Sequence, residues 1–404
     1  LYLNAEVWTG NARYAECVNY SNQVMSSTYM INTNDANGNG TAYDELFLAD
    51  NDTNGAQDEF IFTANFDGLN SQTYGGTTFL VHAAIGGSMP ANEFGVNGGW
   101  GGLRTTKNLV NKFPTGTIDI ESLNNSLNGS ISDWGLVGDA TQNGWNGPDM
   151  EMYETSSNVY ELYADLLGNQ MKFRFNEDWG VNFGDDGADG SLESGGANIV
   201  IPGDGVYHVI LDLNTNSYSL DEVVAESDKR GMFYTDGQNL EIEDIPSFTD
   251  GYAVTKFKNI DSNGNQGVDS SGNFVDTDLA LIRLPEIYLN YAEATLRGGG
   301  GDLNLATAKI NELIERGYGN SDHNISSGNL TLEFILDERS RELYWEGQRR
   351  TDLIRYGYFT TSNYLWPFKA NQPEGASTDL FRNIFPIPSS SISANPNLNQ
   401  NDGY

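Results

Sequence analysis

The stretch that most constrains this chain lies at residues 281–356, where three successive runs carry apolar side chains at helical spacing. In the first, Leu284, Ile287, Tyr288 and Tyr291 share a face, Pro285 falls in the first turn, and four glycines at 298–301 close the run. The second places Ala306, Ile310, Leu313 and Ile314 together and is expected to stop at Gly317. The third sets Leu332, Ile335, Leu336, Leu343, Leu353 and Ile354 along one long face, with Thr331 as its N-cap. Three amphipathic helices joined by glycine-rich turns make a scaffold. The charges that ride on the third run, from Asp337 through Glu338, Glu342 and Arg349 to Asp352, alternate in sign at i,i+3 and i,i+4 spacing. They are expected to pair along the helix rather than to form an acid–base site.

A chain of 404 residues accommodates two or three domains, or one large one. Its net charge of −35, from 56 acidic against 21 basic residues, argues against nucleic acid and against adhesion to an anionic membrane surface. No long apolar run is present to make a membrane-spanning helix. The single cysteine, Cys17, allows no disulfide within the chain and reads as a buried structural thiol. His82, His208 and His323 are scattered, and no HExxH, GxSxG or CxxC motif occurs. Carboxylates are so abundant that a glycosidase-type pair carries no weight as a signal, so the chain is not expected to be an enzyme.

Before the helical block the texture changes twice. Residues 1–27 read as two helices around a glycine turn, and Tyr2-Leu3-Asn4-Ala5-Glu6 echoes Tyr288-Leu289-Asn290-Tyr291-Ala292-Glu293, suggesting tetratricopeptide-like helix pairs. Residues 32–40 (NTNDANGNG) form a polar turn, either a cation loop or a solvated one. Residues 261–272 are a second such loop, without the full twelve-residue EF-hand pattern. Between 66 and 102 the chain is rich in glycine and aromatics, with Tyr74, Phe79, Phe94 and Trp100. An aromatic ring can cover the weakly apolar C–H face of a sugar while amides and charged groups meet its hydroxyls. Tyr74 and Trp100 are either such faces or core plugs under a loop.

From about 118 to 223, short runs of alternating apolar residues are divided by Gly, Asn and Asp turns; Met171, Phe173 and Phe175 alternate, as do Val209, Leu211 and Leu213. That is the pattern of a small antiparallel β-sandwich. Residues 124–130 read as its entry linker. Helical character resumes afterwards, so the chain divides into 1–117, an inserted module at 118–224, and 225–404.

The helix RLPEIYLNYAEA, the later LDERSRELYWEGQRRTDLIRYG and the closing IFPIPSSSISANPNLNQNDGY together resemble the SusD/RagB family of glycan-binding outer-membrane lipoproteins. The inserted module resembles the starch-binding β-sandwiches of the SusE/SusF type. The resemblance implies a mainly α, tetratricopeptide-like helical scaffold carrying an inserted small antiparallel β-sandwich. It implies non-catalytic capture of oligosaccharide or polysaccharide, first a starch-type α-glucan, at the outer face of the outer membrane. Delivery would be to a SusC-like TonB-dependent transporter. The alternatives are a RagB-like peptide receptor and, less favoured, a secreted glycan-cleaving enzyme. The membrane would be met only through a lipid anchor outside this sequence. Because the chain opens inside a helical pattern, the signal, the lipidated cysteine and part of the helical domain are expected upstream. Glycan contacts are expected from Tyr74, Phe94 and Trp100 in the scaffold loops, and from Trp145, Trp179 and Lys172 in the insert. No cofactor is required; a structural Ca2+ in an Asp/Asn loop is the one candidate.

Overall fold

The computed structural model describes residues 1–113, 116 and 118–404. Helix makes up 29% and strand 19% of the chain, which corrects the expected mainly α architecture. Long irregular segments and one large sheet outweigh the helices. The chain forms two compact units, Leu1–Pro114 with Asp228–Tyr404, and Thr115–Ser227.

In chain order the helices are α1 (Ala5–Thr9), α2 (Tyr14–Met25), α3 (Gly76–Ala83), α4 (Lys107–Val110), α5 (Ile120–Ser126), α6 (Leu284–Ala294), α7 (Leu303–Tyr318), α8 (Leu332–Leu343), α9 (Arg349–Arg355) and α10 (Ser389–Ala394). The first unit also holds strands β1 (Phe60–Ala64), β11 (Phe233–Tyr234), β12 (Ala253–Val254) and β13 (Leu279–Arg283). The second holds β2 (Ser130–Val137), β3 (Met150–Ser156), β4 (Val159–Leu166), β5 (Gln170–Phe175), β6 (Asp178–Gly184), β7 (Glu193–Ser194), β8 (Ile199–Val200), β9 (Gly205–Asp212) and β10 (Ser217–Glu222).

In the first unit β13 runs directly into α6, with Pro285 in the turn whose N–H groups have no helical partner. The Asp302 carboxylate caps α7, accepting from the Asn304 and Leu305 amides at 2.8 and 3.3 Å. That helix ends at Gly319, left-handed at φ 85°, rather than at Gly317. Gly317 is there for close approach, since a Cβ on it would stand 2.6 Å from Arg230 Nε. Thr331 caps α8 by accepting from the Phe334 N–H at 3.1 Å. The third predicted run is broken after Leu343, where Trp345 and Gly347 both take left-handed backbone, at φ 63° and 78°.

Cys17 and Val18 of α2, Leu289 and Ala292 of α6, Ile310 and Leu313 of α7 and Ile335 of α8 share one apolar core. Burial pushes the Cys17 thiol up, which keeps it protonated and unreactive. A second core is assembled from turns, loops and one face of α3, and includes Tyr43, Phe47, Val81, Ile85, Phe94, Val254 and Phe257.

Beneath these cores lies a buried charge network that the helical spacing did not foretell. Glu342 of α8 accepts from Arg230, Arg283 and Arg316, which come from three distant segments. Arg283 also reaches Glu59 at 2.9 Å and Glu346 at 2.7 Å, and Lys256 meets Glu346 at 2.7 Å. All of these side chains are 4% exposed or less. Pairing along the helix is seen for Arg341 with Glu338 and Arg355 with Asp352, but Glu342 and Glu346 bind the fold together across the chain. Groups this strongly coupled serve one another, so the cluster is structural rather than catalytic.

The second unit is one antiparallel sheet, in the order β10-β9-β4-β3-β2-β5-β6-β7, with β8 added on β5. It curls until its two ends meet: Ser191 bridges Ser217, and the Leu192 N–H donates to Asn216 O at 2.8 Å. A single curled sheet thus replaces the expected two-layer sandwich. Alternation decides its interior, with Leu136, Met152, Met171, Phe173, Val209 and Leu211 fully buried. The expected linker at 124–130 is partly helical and tied down: Asn124 of α5 exchanges two hydrogen bonds with the Tyr163 backbone, at 2.9 and 2.8 Å.

Candidate functional site

The glycine-rich stretch of the first unit builds an exposed aromatic platform on α3. Gly76 opens the helix at φ 59°, and any Cβ there would collide with the Phe66 ring at 2.0 Å. The helix turns Val81 inward to the second core and leaves Phe79 44% exposed. The loop that carries Trp100 then folds back over the end of the same helix. The Trp100 N–H donates to His82 O at 2.8 Å, Gly101 to Ile85 O at 2.8 Å, and Gly102 and Leu103 to Ala83 O at 2.9 and 2.7 Å. Gly99 permits that approach, because a Cβ on it would lie 2.2 Å from Ile85 O.

Trp100 therefore lies on α3, 45% exposed, with one face stacked on the buried His82 ring at 4.7 Å and 11°. His82 is fixed from both sides, its Nδ1 facing Gly98 O at 2.7 Å and its Nε2 facing Asn273 O at 3.0 Å. Tyr74, 63% exposed, stands 6.2 Å from Trp100 and 5.0 Å from Phe274, and Phe79 stands 6.1 Å from Trp100. Asn97 and Asn273 join the two loops behind these rings, the Asn97 amide donating to Asn273 Oδ1 at 2.7 Å. Three exposed rings, Tyr74, Phe79 and Trp100, with Phe274 partly buried beside Tyr74 and amides nearby, suit the apolar face of a sugar better than a charged ligand.

Of the scaffold residues expected to meet glycan, Tyr74 and Trp100 come together here and Phe94 does not. Phe94 is 6% exposed, edge-on to Tyr234 within the second core, so it has no face to offer. Phe79, His82 and Phe274 are additions. Phe79 was conspicuous only as part of an aromatic-rich stretch, and His82 lay inside an apolar helical pattern that reads as core.

In the second unit Trp145 and Trp179 also meet, their rings 6.1 Å apart and inclined by 34°. Trp179 is 46% exposed and Trp145 half-buried. Arg174 of β5 lies over the Trp179 ring at 4.6 Å and grips Asp149 through two hydrogen bonds. The Asp149 hydrogen bond holds the Arg174 pKa above its ordinary value, against the opposing effect of burial. Lys172 is one residue pair along β5, donating to Asn182 Oδ1 at 3.1 Å, and the Asn182 amide donates to Trp179 O at 2.8 Å. All three insert residues expected from the sequence thus fall on one patch, with Arg174 as the group against the ring. The tryptophan that fills the interior of the sheet is Trp134, 6% exposed.

No group of three or more His, Cys, Asp or Glu among the described residues is arranged to hold a metal ion. No helix among them is long and apolar enough to cross a membrane.

The model of the SusD family matches residues 58–404. The chain belongs to the SusD family. It is 31% identical over 409 residues to the starch-binding protein SusD of Bacteroides thetaiotaomicron, an alignment that takes in all of this chain and 58% of that protein. Among solved structures it is similar to a SusD superfamily protein from Parabacteroides distasonis, with a TM-score of 0.50, 18% identity, and 100% of this chain against 60% of the other. Surface glycan-binding protein A from Bacteroides thetaiotaomicron, in complex with laminarihexaose, matches with a TM-score of 0.50 and 17% identity, over 99% and 62% of the two chains. At that identity the two structures speak for the fold alone. The chain spans about three fifths of the length of these SusD-like relatives.

Proposed function

We propose that this SusD-like protein captures oligosaccharide or polysaccharide without cleaving it. The observation that carries the reading is the cluster of exposed rings Tyr74, Phe79 and Trp100, with Phe274 beside Tyr74 and Trp100 stacked on a fixed His82. The names of the relatives support it, one being starch-binding and another a glycan-binding protein with laminarihexaose. A starch-type α-glucan is the first ligand, met at the platform and at the Trp145–Trp179 patch. The work of the protein is then to hold glycan at the outer face of the outer membrane, reached through a lipid anchor, and to pass it to a SusC-like TonB-dependent transporter. This is a binding role, in which no residue acts as an acid, base or nucleophile.

The test is calorimetry of the 404-residue chain against maltoheptaose, laminarihexaose and a mixed peptide pool, beside a reducing-sugar assay. An α-glucan is expected to bind, with no rise in reducing ends. Trp100→Ala is expected to weaken binding about tenfold or more, the share of affinity that one stacked ring supplies. Steady release of reducing ends would defeat the non-catalytic reading, and peptide binding without glycan binding would move the protein to the RagB-like role. Affinity left unchanged by both Trp100→Ala and Trp179→Ala would remove the two sites.

A further inference from the structure

The chain carries 56 acidic residues against 21 basic ones, so a basic group without a carboxylate partner is conspicuous. Arg349 and Arg350 of α9, Lys369 and Arg382 are four such groups, and they line two adjoining cavities of the first unit. Among the described residues none of the four is ion-paired, and the hydrogen bonds that they make go to carbonyl and hydroxyl oxygens. The cavities measure about 310 and 890 Å³, and Arg350, Phe359 and Trp366 line both. No Asp or Glu lines the smaller, and the exposed Asp379 is the one carboxylate along the larger.

Arg350 stands over the Phe359 and Phe385 rings, its guanidinium carbon 4.7 and 3.8 Å from their centroids. One of its N–H groups donates to Arg382 O at 2.5 Å, and the others have no hydrogen-bond partner among the described residues. Arg349 donates to Leu336 O at 2.7 Å and to the Tyr364 hydroxyl at 2.6 Å, which occupies two of the five N–H groups that an arginine carries. Arg382 is exposed beside the Phe381 ring, 5.1 Å from its centroid. Lys369 is the deepest of the four, 3% exposed, its ammonium donating to the carbonyls of Tyr358, Thr361 and Tyr364 at 3.3, 2.6 and 2.7 Å. Those carbonyls satisfy its donors and leave its charge uncompensated, and burial lowers its pKa. Asn108 lines the smaller cavity and carries a buried Oδ1 without a hydrogen-bond partner. Trp345 in the wall of the smaller cavity, and Ala370 and Asn371 in that of the larger, hold left-handed backbone at φ 63°, 56° and 58°.

We propose that this cleft binds an acidic sugar, a uronate-bearing oligosaccharide whose carboxylates meet Arg349, Arg350 and Arg382. A guanidinium presents paired N–H groups in a plane that matches a carboxylate, and the unused donors of Arg349 and Arg350 are of that kind. Tyr364, Trp366 and Phe385 in the walls supply apolar surface for the C–H groups of the sugar rings. A neutral glucan would leave the four cations unanswered, and a small inorganic anion would leave the rings unused. A nucleic acid is repelled by the net charge of −35 carried by the chain as a whole. Tyr74, Phe79 and Trp100 line neither cavity, so the site is separate from the aromatic platform and does not depend on what the platform binds.

The test is calorimetry of the 404-residue chain against trigalacturonate, its methyl ester and a triglutamate peptide, with thermal unfolding of each variant alongside. Trigalacturonate is expected to bind, and the methyl ester, the same sugar without its charge, to bind about tenfold or more weakly. Arg350→Gln is expected to weaken trigalacturonate about tenfold. Arg382→Ala, at an exposed position and so safer for folding, is expected to weaken it about threefold or more at a Tm equal to that of the parent. Excess maltoheptaose is expected to leave the trigalacturonate affinity unchanged. Absence of trigalacturonate binding overturns the proposal, as does equal affinity for the acid and its ester. So does affinity that survives both Arg350→Gln and Arg382→Ala, or displacement by maltoheptaose, which would put the acidic sugar on the platform. A triglutamate peptide bound as tightly as trigalacturonate would make the cleft a site for acidic peptide and overturn the assignment to sugar.

Discussion

Trp100 presents an open face because its other face is already taken by His82, and that stack sets the residue-scale expectation. His82 touches no free face of the platform, so it is a positioning residue. His82→Ala is expected to weaken glycan binding up to about tenfold by freeing the Trp100 ring, the upper range for one aromatic pair. Quenching of Trp100 fluorescence by iodide should rise in the unliganded variant. A purely structural role for His82 would lower Tm without changing quenching or affinity. The sequence made Trp100 and Tyr74 legible as rings among residues too small to cover them. The reason for the glycines was different, however: Gly99 lets the loop lie against the Ile85 carbonyl. Phe94 sits in the same kind of surroundings and went inward, packed against Tyr234. Local composition is the same for both fates, and only the tertiary path of the loop separates them.

At the scale of elements, α8 shows how helical spacing misassigns charge. Its acids alternate with arginines as a solvated helix would have them, yet Glu342 is fully buried and serves arginines from β13, α7 and the segment after the insert. One-dimensional spacing sees the neighbours along the helix and not the partners 26, 59 and 112 residues away. Arg283→Met is expected to destabilise the first unit by about 3–5 kcal/mol, since it leaves Glu342, Glu346 and Glu59 short of a partner. Urea titration checks this, and a loss below about 1 kcal/mol would contradict it. The network also sets a pH dependence. Burial raises the Glu342 pKa, but Arg316, Arg283 and Arg230 outweigh it and hold the carboxyl well below its ordinary 4.5. Burial is likewise outweighed at Glu346, by Arg283 and Lys256, and at Glu293, by Arg355. A depressed folded pKa means that the unfolded chain binds the proton first as pH falls. Their contribution is therefore complete above about 4.5 and is lost as the pH drops from there towards the lower folded values. The difference in stability between the parent chain and Glu293→Gln, whose charged partners are all arginines, is expected to be constant from pH 7 to 5.5 and to shrink below 4.5. A difference that grew on acidification would reverse the sign of the argument.

At the scale of the molecule, alternation gives way to helical spacing on both sides of residues 118–224, and a sheet-bearing unit of the structure lies at Thr115–Ser227. The mainly α scaffold read from that helical spacing was wrong, since helix makes up only 29% of the chain. Much of the first unit is held by side chains that cap turns, such as Asn51, whose amide donates to Leu46 O and Asp278 O at 2.9 Å each, and such contacts have no period to detect. Each unit brings its own chain ends together. In the second, a Cβ on Gly116 would stand 2.3 Å from Glu226 O, so entry and exit run side by side. In the first, the Phe113 ring lies 3.1 Å from where a Cβ on Gly231 would be, and the same ring packs against Phe233 and Tyr344. Adjacent ends and separate cores are what an insertion needs to be removed without unravelling its host. Replacing residues 116–226 by a short Gly/Ser bridge is therefore expected to leave the first unit cooperatively folded, with Tm within about 5 °C of the parent. Residues 116–227 alone should give a β-type circular dichroism spectrum and a single thermal transition. The bridged chain is expected to keep the α-glucan affinity that depends on Trp100, and the isolated sheet the part that depends on Trp179. A broad, non-cooperative melt of either piece would show that the two cores are not independent.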